Sequence, residues 1–152
     1  MPGFRSAAAH TKGFTLLELL TVVAVISILV VVSLPMYFNY AARAQVVEGV
    51  NLMGEFKTRV TDSYYSTGDF PASNAAAGMA DPEAYATDRI ARIDVGTGGV
   101  ITVEYDIAIL GTDNRLDFAP SLNSIGIDWV CQSSAIRGVD PTFVPSECRP
   151  SN

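Results

Sequence analysis

Between Phe14 and Met36 the chain reads FTLLELLTVVAVISILVVVSLPM, and Glu18 is the one ionisable side chain in it. An unpaired charge in hydrocarbon costs about 2.5–3.5 kcal/mol even on insertion scales, so this acid needs a partner or a place near the headgroups. Its position near one end of the run leaves both open. Other candidates for chemistry are few. His10 is the single histidine, and Ser33 and the serines near Cys131 have no candidate base beside them in sequence. Without a nucleophile and base, and without a phosphate-binding glycine loop, the chain is not expected to be an enzyme. Asp94, Glu104, Asp106, Asp113, Asp117 and Asp128 read as solvent-facing or turn residues rather than catalytic carboxylates. Asp113 and Asn114 follow a turn that would suit calcium, but EF-hand spacing is missing, so no metal or cofactor is expected. Cys131 and Cys148 are too far apart for a C-x-x-C redox pair.

The elements that position Glu18 follow from the run itself. Phe14 to Met36 is 23 residues long, in the range of roughly 20 that a transmembrane helix needs. Its Val, Leu and Ile content suits a strand in water, but in lipid only a helix satisfies the backbone of a single spanning segment. Three readings compete: a plain membrane anchor with Arg5 and Lys12 on the inner side, a cleaved secretory signal ending near Ala42-Arg43-Ala44, and a helix through which subunits pack. Pro35 removes a helical hydrogen bond, and a kink or locally opened backbone is expected there. Beyond it, Val46, Val50, Met53, Phe56, Val60 and Tyr64 recur at steps of three and four, which predicts an amphipathic continuation to about Tyr65. Gly68 and Pro71 stop it.

The stretch Lys12-Gly13-Phe14-Thr15-Leu16-Leu17-Glu18-Leu19 resembles the class III signal of type IV prepilins. That resemblance implies a membrane peptidase that cuts between Gly13 and Phe14 and N-methylates Phe14. It implies that Glu18, fifth in the mature chain, pairs with the amino terminus of a neighbouring subunit during assembly, and that Pro35 takes part in the packed filament. Residues 1–13 are then a leader, lost together with His10. Residues 14–36 are the membrane and filament-core segment, and residues 37–152 are a globular head.

The rest of the chain fits one head. At 152 residues there is room for no second large core. The formal charge of −6 falls to −8 when Arg5 and Lys12 leave with the leader, which argues against a broad nucleic-acid surface and leaves only a local patch open. Residues 66–88 are small, polar and turn-rich, a connecting loop. Strands are expected at Ile90–Val95, at Val100–Ile109 after the Gly96–Gly99 hairpin turn, around Leu116 and Phe118 with Pro120 ending the strand or marking an edge, and at Ser124–Cys131. Short links favour an antiparallel sheet on the helix. An exported domain is expected to join Cys131 to Cys148, and the ending resembles the disulfide-bounded region of type IVa pilins. The fold class is therefore α+β: a long N-terminal helix, half apolar and half amphipathic, packed on a four-stranded antiparallel sheet with a disulfide-bounded C-terminal loop.

The resemblance implies a structural subunit that waits in the inner membrane of a Gram-negative-type cell and then joins an extracellular type IV pilus. Its implied partners are other copies of itself, the prepilin peptidase and N-methyltransferase, the inner-membrane assembly platform, and lipid before assembly. Adhesion, twitching motility and DNA uptake are the implied uses. A minor pilin or a type II secretion pseudopilin is the alternative, and a simple bitopic membrane protein a further one. Intact-mass and N-terminal analysis of the mature protein should show loss of residues 1–13 and one added methyl. A mature chain beginning at Met1 or after Ala44 would contradict this.

Overall fold

The computed structural model describes residues 13–149. The chain divides into two compact units between Met36 and Tyr37, and one helix, α1 (Leu16–Thr67), contributes to both. In the first unit every described side chain is exposed, up to 76% for Leu16. β-Branched residues are ordinarily modest helix formers, so the helical state here relies on satisfying the backbone in an apolar setting. Its hydroxyls are satisfied internally: Ser27 donates to the Val23 carbonyl at 2.7 Å and Ser33 to that of Leu29 at 2.8 Å. Pro35 lies inside α1 without interrupting it. The expected opening of the backbone therefore does not take the form of a break in the helix; one missing donor is not enough to end it.

In the second unit α1 buries Ala42, Val46, Gly49, Met53, Phe56 and Val60, a stripe at alternating steps of four and three. Val50 and Tyr64 are half-buried at its margin. Gly49 belongs to the stripe because of Tyr105: a Cβ at Gly49 would stand 2.5 Å from the phenol oxygen. The Tyr105 hydroxyl donates to the Val46 carbonyl at 2.8 Å, and burial pushes its pKa far above the ordinary phenol value, keeping it a donor. Gly54 has open space beside it and makes no comparable close approach. The helix ends at Gly68, whose φ of +86° suits a residue without a Cβ and whose N–H donates to Tyr64 at 2.8 Å.

Four strands, β1 (Ile90–Val95), β2 (Ile101–Tyr105), β3 (Arg115–Leu122) and β4 (Ile127–Ser133), form one antiparallel sheet in the order β1-β2-β3-β4. Ile93, Val95, Ile101, Val103, Tyr105, Leu116 and Phe118 join the helix stripe in one hydrophobic core. The Gly96–Gly99 hairpin turn is present between β1 and β2. Strand ends differ from the sequence pattern. β2 stops at Tyr105, because Asp106 N–H turns to the Arg89 carbonyl and Ala108–Leu110 forms a 3₁₀ turn. Ile109, inside the expected strand Val100–Ile109, is consequently exposed, while Leu110 is buried. β3 runs through Pro120, which is opposite Trp129 of β4. Its pairing with β2 ends at Phe118, so the proline occupies a stretch with a neighbour on one side only. β4 begins at Ile127, and Ile125 lies in the preceding turn.

The loop between α1 and β1 is fixed by a buried asparagine. Asn74 donates from Nδ2 to the carbonyls of Ala80 and Ile93, each at 3.0 Å, and its Oδ1 accepts from the Val95 N–H at 2.6 Å. One amide thus pairs two backbone groups of β1 as a neighbouring strand would, covering that part of a sheet edge. Tyr85 adds an edge-on contact to Phe56 with ring centroids 4.8 Å apart. Replacing Asn74 with Ala should lower the stability of this unit by roughly 1–3 kcal/mol for each buried group left unpaired, read as a lower denaturant midpoint. An unchanged midpoint would show that the loop does not depend on it.

Candidate assembly surface and disulfide-bounded loop

At the start of α1, Gly13 and Phe14 are exposed and precede the first helical turn. Thr15 caps that turn: its Oγ1 accepts from the Glu18 N–H at 3.2 Å, and its carbonyl accepts from Leu19 at 3.2 Å. The Thr15 hydroxyl also donates to Glu18 Oε2 at 3.5 Å, a long contact that completes a variant of the capping box. Glu18 therefore has a local role that the sequence reading missed, although T-x-x-E ahead of an apolar run is its signature. A carboxylate in the first turn is also favoured by the positive end of the helix dipole.

Among the described residues the ion pairs lie beyond Met36, as in Glu55–Arg59 and Glu48–Arg89, and none involves Glu18. The leader residues ahead of Gly13, with Arg5, His10 and Lys12, lie outside the described residues. The apolar surface around Glu18 is wide: Phe14 is 74% exposed, and the helix contains a window of mean hydropathy 2.7. Such a surface is stable in lipid or against other apolar chains.

The second feature is the C-terminal loop. Cys131 and Cys148 are joined in a disulfide, with Cys148 fully buried. Val139 and Val144, inside the loop, are buried too, so the loop contributes side chains to the core. Hydrogen bonds hold it to the sheet and to the helix. Arg115 N–H donates to Arg137 and its carbonyl accepts from Val139 N–H at 3.0 Å, while Ser133 Oγ donates to the Val139 carbonyl at 2.6 Å. On the helix side, Arg43 donates through Nε to the Thr142 carbonyl at 3.1 Å and contacts it through Nη2 as well.

The sheet acids expected to face solvent are mostly engaged in structure. Glu104 meets Arg115 at 2.8 Å and Arg137 at 3.4 Å. Asp117 accepts from Thr102 at 2.8 Å. Asn114 is buried, donating to the Tyr105 carbonyl at 2.6 Å and accepting from Arg137 at 3.0 Å. Its amide is therefore already used within the fold. Among the described residues no group of three or more His, Cys, Asp or Glu is placed to hold a metal ion. Arg137, which binds this corner with a φ of 60°, carries no sequence signal that would have found it.

A capped carboxylate opening an uncovered apolar helix, in a chain whose other unit is closed by a disulfide, defines a class of protein: a membrane-inserted precursor with an exported domain. The chain belongs to the pilin family of bacterial filaments, which it matches over residues 42–149, and residues 9–34 match the prokaryotic N-terminal methylation motif. It is 37% identical over 142 residues to the fimbrial protein EcpC of Eikenella corrodens, covering 91% of this chain and 90% of that one. The type IV major pilin protein PilE1 of Neisseria gonorrhoeae is 30% identical over 156 residues, covering 91% of this chain and 87% of its own. A fimbrial protein of Neisseria meningitidis serogroup A is 40% identical over 160 residues, with 91% and 94% covered. As a pilin the chain is a structural protein and not an enzyme.

Closing the loop between Cys131 and Cys148, separated by 17 positions, is worth about 3 kcal/mol by loop entropy. Replacing both cysteines with Ser should lower stability by about 2–4 kcal/mol. Non-reducing peptide mapping of the native protein should recover the two cysteine peptides linked; free thiols would contradict the closure.

Proposed function

We propose that this chain is the repeating subunit of a type IV pilus. Residues 1–13 are the leader, cut between Gly13 and Phe14 by the prepilin peptidase, which methylates the new amine. Residues 14–36 hold the precursor in the inner membrane and later form the filament core. Residues 37–152 form the head on the outer side. The observation that carries this reading is the methylation-motif match over residues 9–34, which falls on the uncovered apolar stretch of α1.

Polymerisation moves that stretch from lipid to neighbouring helices. Both surroundings are apolar, so the hydrophobic gain largely cancels, and packing together with polar pairing must decide the outcome. Glu18 supplies the polar pairing: its carboxylate meets the methylated Phe14 ammonium of an adjacent subunit. In low dielectric such a pair attracts strongly once both groups have shed water, and a subunit in the wrong register leaves the carboxylate unpaired. Pro35, short of one N–H, gives the helix a point at which it can adjust within the filament. An inner-membrane assembly platform extracts the subunits. The relative named a type IV major pilin protein supports the role of principal subunit. The uses proposed for the filament are adhesion, twitching motility or DNA uptake.

Filaments sheared from cells should consist mainly of this chain by mass, and Glu18→Ala should leave cleavage intact while reducing piliation. Trace amounts at filament tips would make it a minor pilin. Filaments of normal yield from Glu18→Ala would show that the pairing is dispensable.

A further inference from the structure

The turn between β3 and β4 presents an isoleucine to solvent on a hydrogen-bonded backbone. Ile125 is 95% exposed, more than any other large hydrophobic side chain among the described residues. The turn beneath it is braced by Asn123, whose Oδ1 accepts from the N–H groups of Ile125 and Gly126 at 2.7 and 2.8 Å. Asn123 N–H in turn donates to the Gly126 carbonyl at 2.9 Å. Leu122, 55% exposed, and Tyr65, whose hydroxyl lies beside Gly126, border the same knob. Bracing the backbone that carries an apolar side chain lessens the entropy lost when that turn is ordered on binding.

A second surface offers an apolar recess. Leu52 and Phe56 of α1, Ala84, Tyr85, Ala86 and Ile93 line an apolar pocket of about 280 Å³, with Glu55 and Thr87 at its margin. That volume accommodates a branched aliphatic side chain. Its β-strand wall comes from β1, whereas Ile125 precedes β4, and the strand order puts these two strands at opposite edges of one sheet. A knob on one edge and a pocket on the other cannot satisfy each other within a single chain.

Between two copies they can, and the contact is heterologous: each copy offers its knob to one neighbour and its pocket to another. Repeating such a contact generates an open helical array rather than a closed dimer. We infer that Ile125 of one subunit inserts into the Leu52–Phe56–Tyr85–Ile93 pocket of a neighbouring copy of this chain, forming a contact between heads in the filament. This rests on the proposed polymer. One side chain in one pocket buries far less surface than a stable complex requires, so separate heads stay monomeric. The contact forms when polymerisation of the apolar helices raises the local concentration of heads.

The test uses the full chain in filaments on cells. The described cysteines are both in the disulfide, so new cysteines serve as clean reporters. The double variant Ile125→Cys with Ala86→Cys, oxidised in intact filaments, should give a ladder of covalent oligomers on denaturing gels, and either single variant should not. Separately, Ile125→Ala filaments should dissociate at lower temperature than wild type, while the monomeric chain melts unchanged because the side chain is exposed. Assembled double-variant filaments without a ladder would overturn this contact, as would Ile125→Ala filaments as heat-resistant as wild type. Wild-type filaments that lack this chain would instead overturn the polymer reading, and the head contact with it.

Discussion

An apolar helix that its own chain does not cover is the constraint on which the rest depends. Its side chains from Phe14 to Met36 are exposed, yet nothing in that sequence favours water except Glu18 and a few hydroxyls. Those hydroxyls are already bonded to carbonyls of their own helix, as Ser27 and Ser33 show. The segment therefore needs an apolar surrounding from outside: lipid for the precursor and, in the proposed polymer, other copies of the chain. Because these surroundings are similarly apolar, the free-energy difference between them is small compared with the cost of exposing the segment to water. A subunit can then pass from one to the other without a large intrinsic barrier of solvation, while water remains forbidden at both ends of the passage.

An exported domain has a different requirement, namely that its sheet edges and chain end stay closed. At β1 the closure is one buried amide, Asn74, which takes the place of part of a fifth strand. Near β4 it is covalent, through Cys131 and Cys148, and is reinforced by Arg43 on the helix and by the Arg115 and Arg137 contacts with Glu104. The two closures differ in kind. A buried hydrogen bond depends on the fold around it, whereas the disulfide restricts the unfolded chain as well and so opposes unfolding even after local packing has been lost.

The parts of this fold that were legible in the sequence are the periodic ones. The helix stripe from Val46 to Val60 and the alternation of Ile101, Val103 and Tyr105 are local patterns, and each marks a buried face. Where alternation ran on past the true strand end, it misled: Ile107 is still buried, but by Ile109 the backbone has turned at Asp106 to pair with Arg89, and Ile109 is exposed. Ile125 likewise lies inside the expected strand Ser124–Cys131 but precedes β4 and is 95% exposed. Asn74 and Arg137 were invisible for another reason. Their partners, Ile93 and Val95 for one, Thr112 and Asn114 for the other, are remote in sequence, and a side chain bonding to distant groups leaves no repeat to detect. Thr15 was different: its capping relation to Glu18 is local, and its signature lay inside the motif that drew attention to the acid for other reasons.

That overlap bears on how one carboxylate can serve both helix and filament. The helix terminus already stabilises Glu18 by its dipole and by the Thr15 cap, and this lessens the penalty of holding the acid at the edge of an apolar segment. The cap contact reaches only Oε2, and a carboxylate accepts several hydrogen bonds, so capacity for a further donor remains. In the proposed pairing that donor is an ammonium at the very start of another chain. Since Phe14 precedes Glu18 by a little over one helical turn, the two can meet only if parallel copies are displaced along their axis rather than placed level. The same residue that starts the helix would thereby also select a stagger, and a stagger repeated from copy to copy is what turns lateral packing of apolar helices into a filament instead of a sheet or a closed ring.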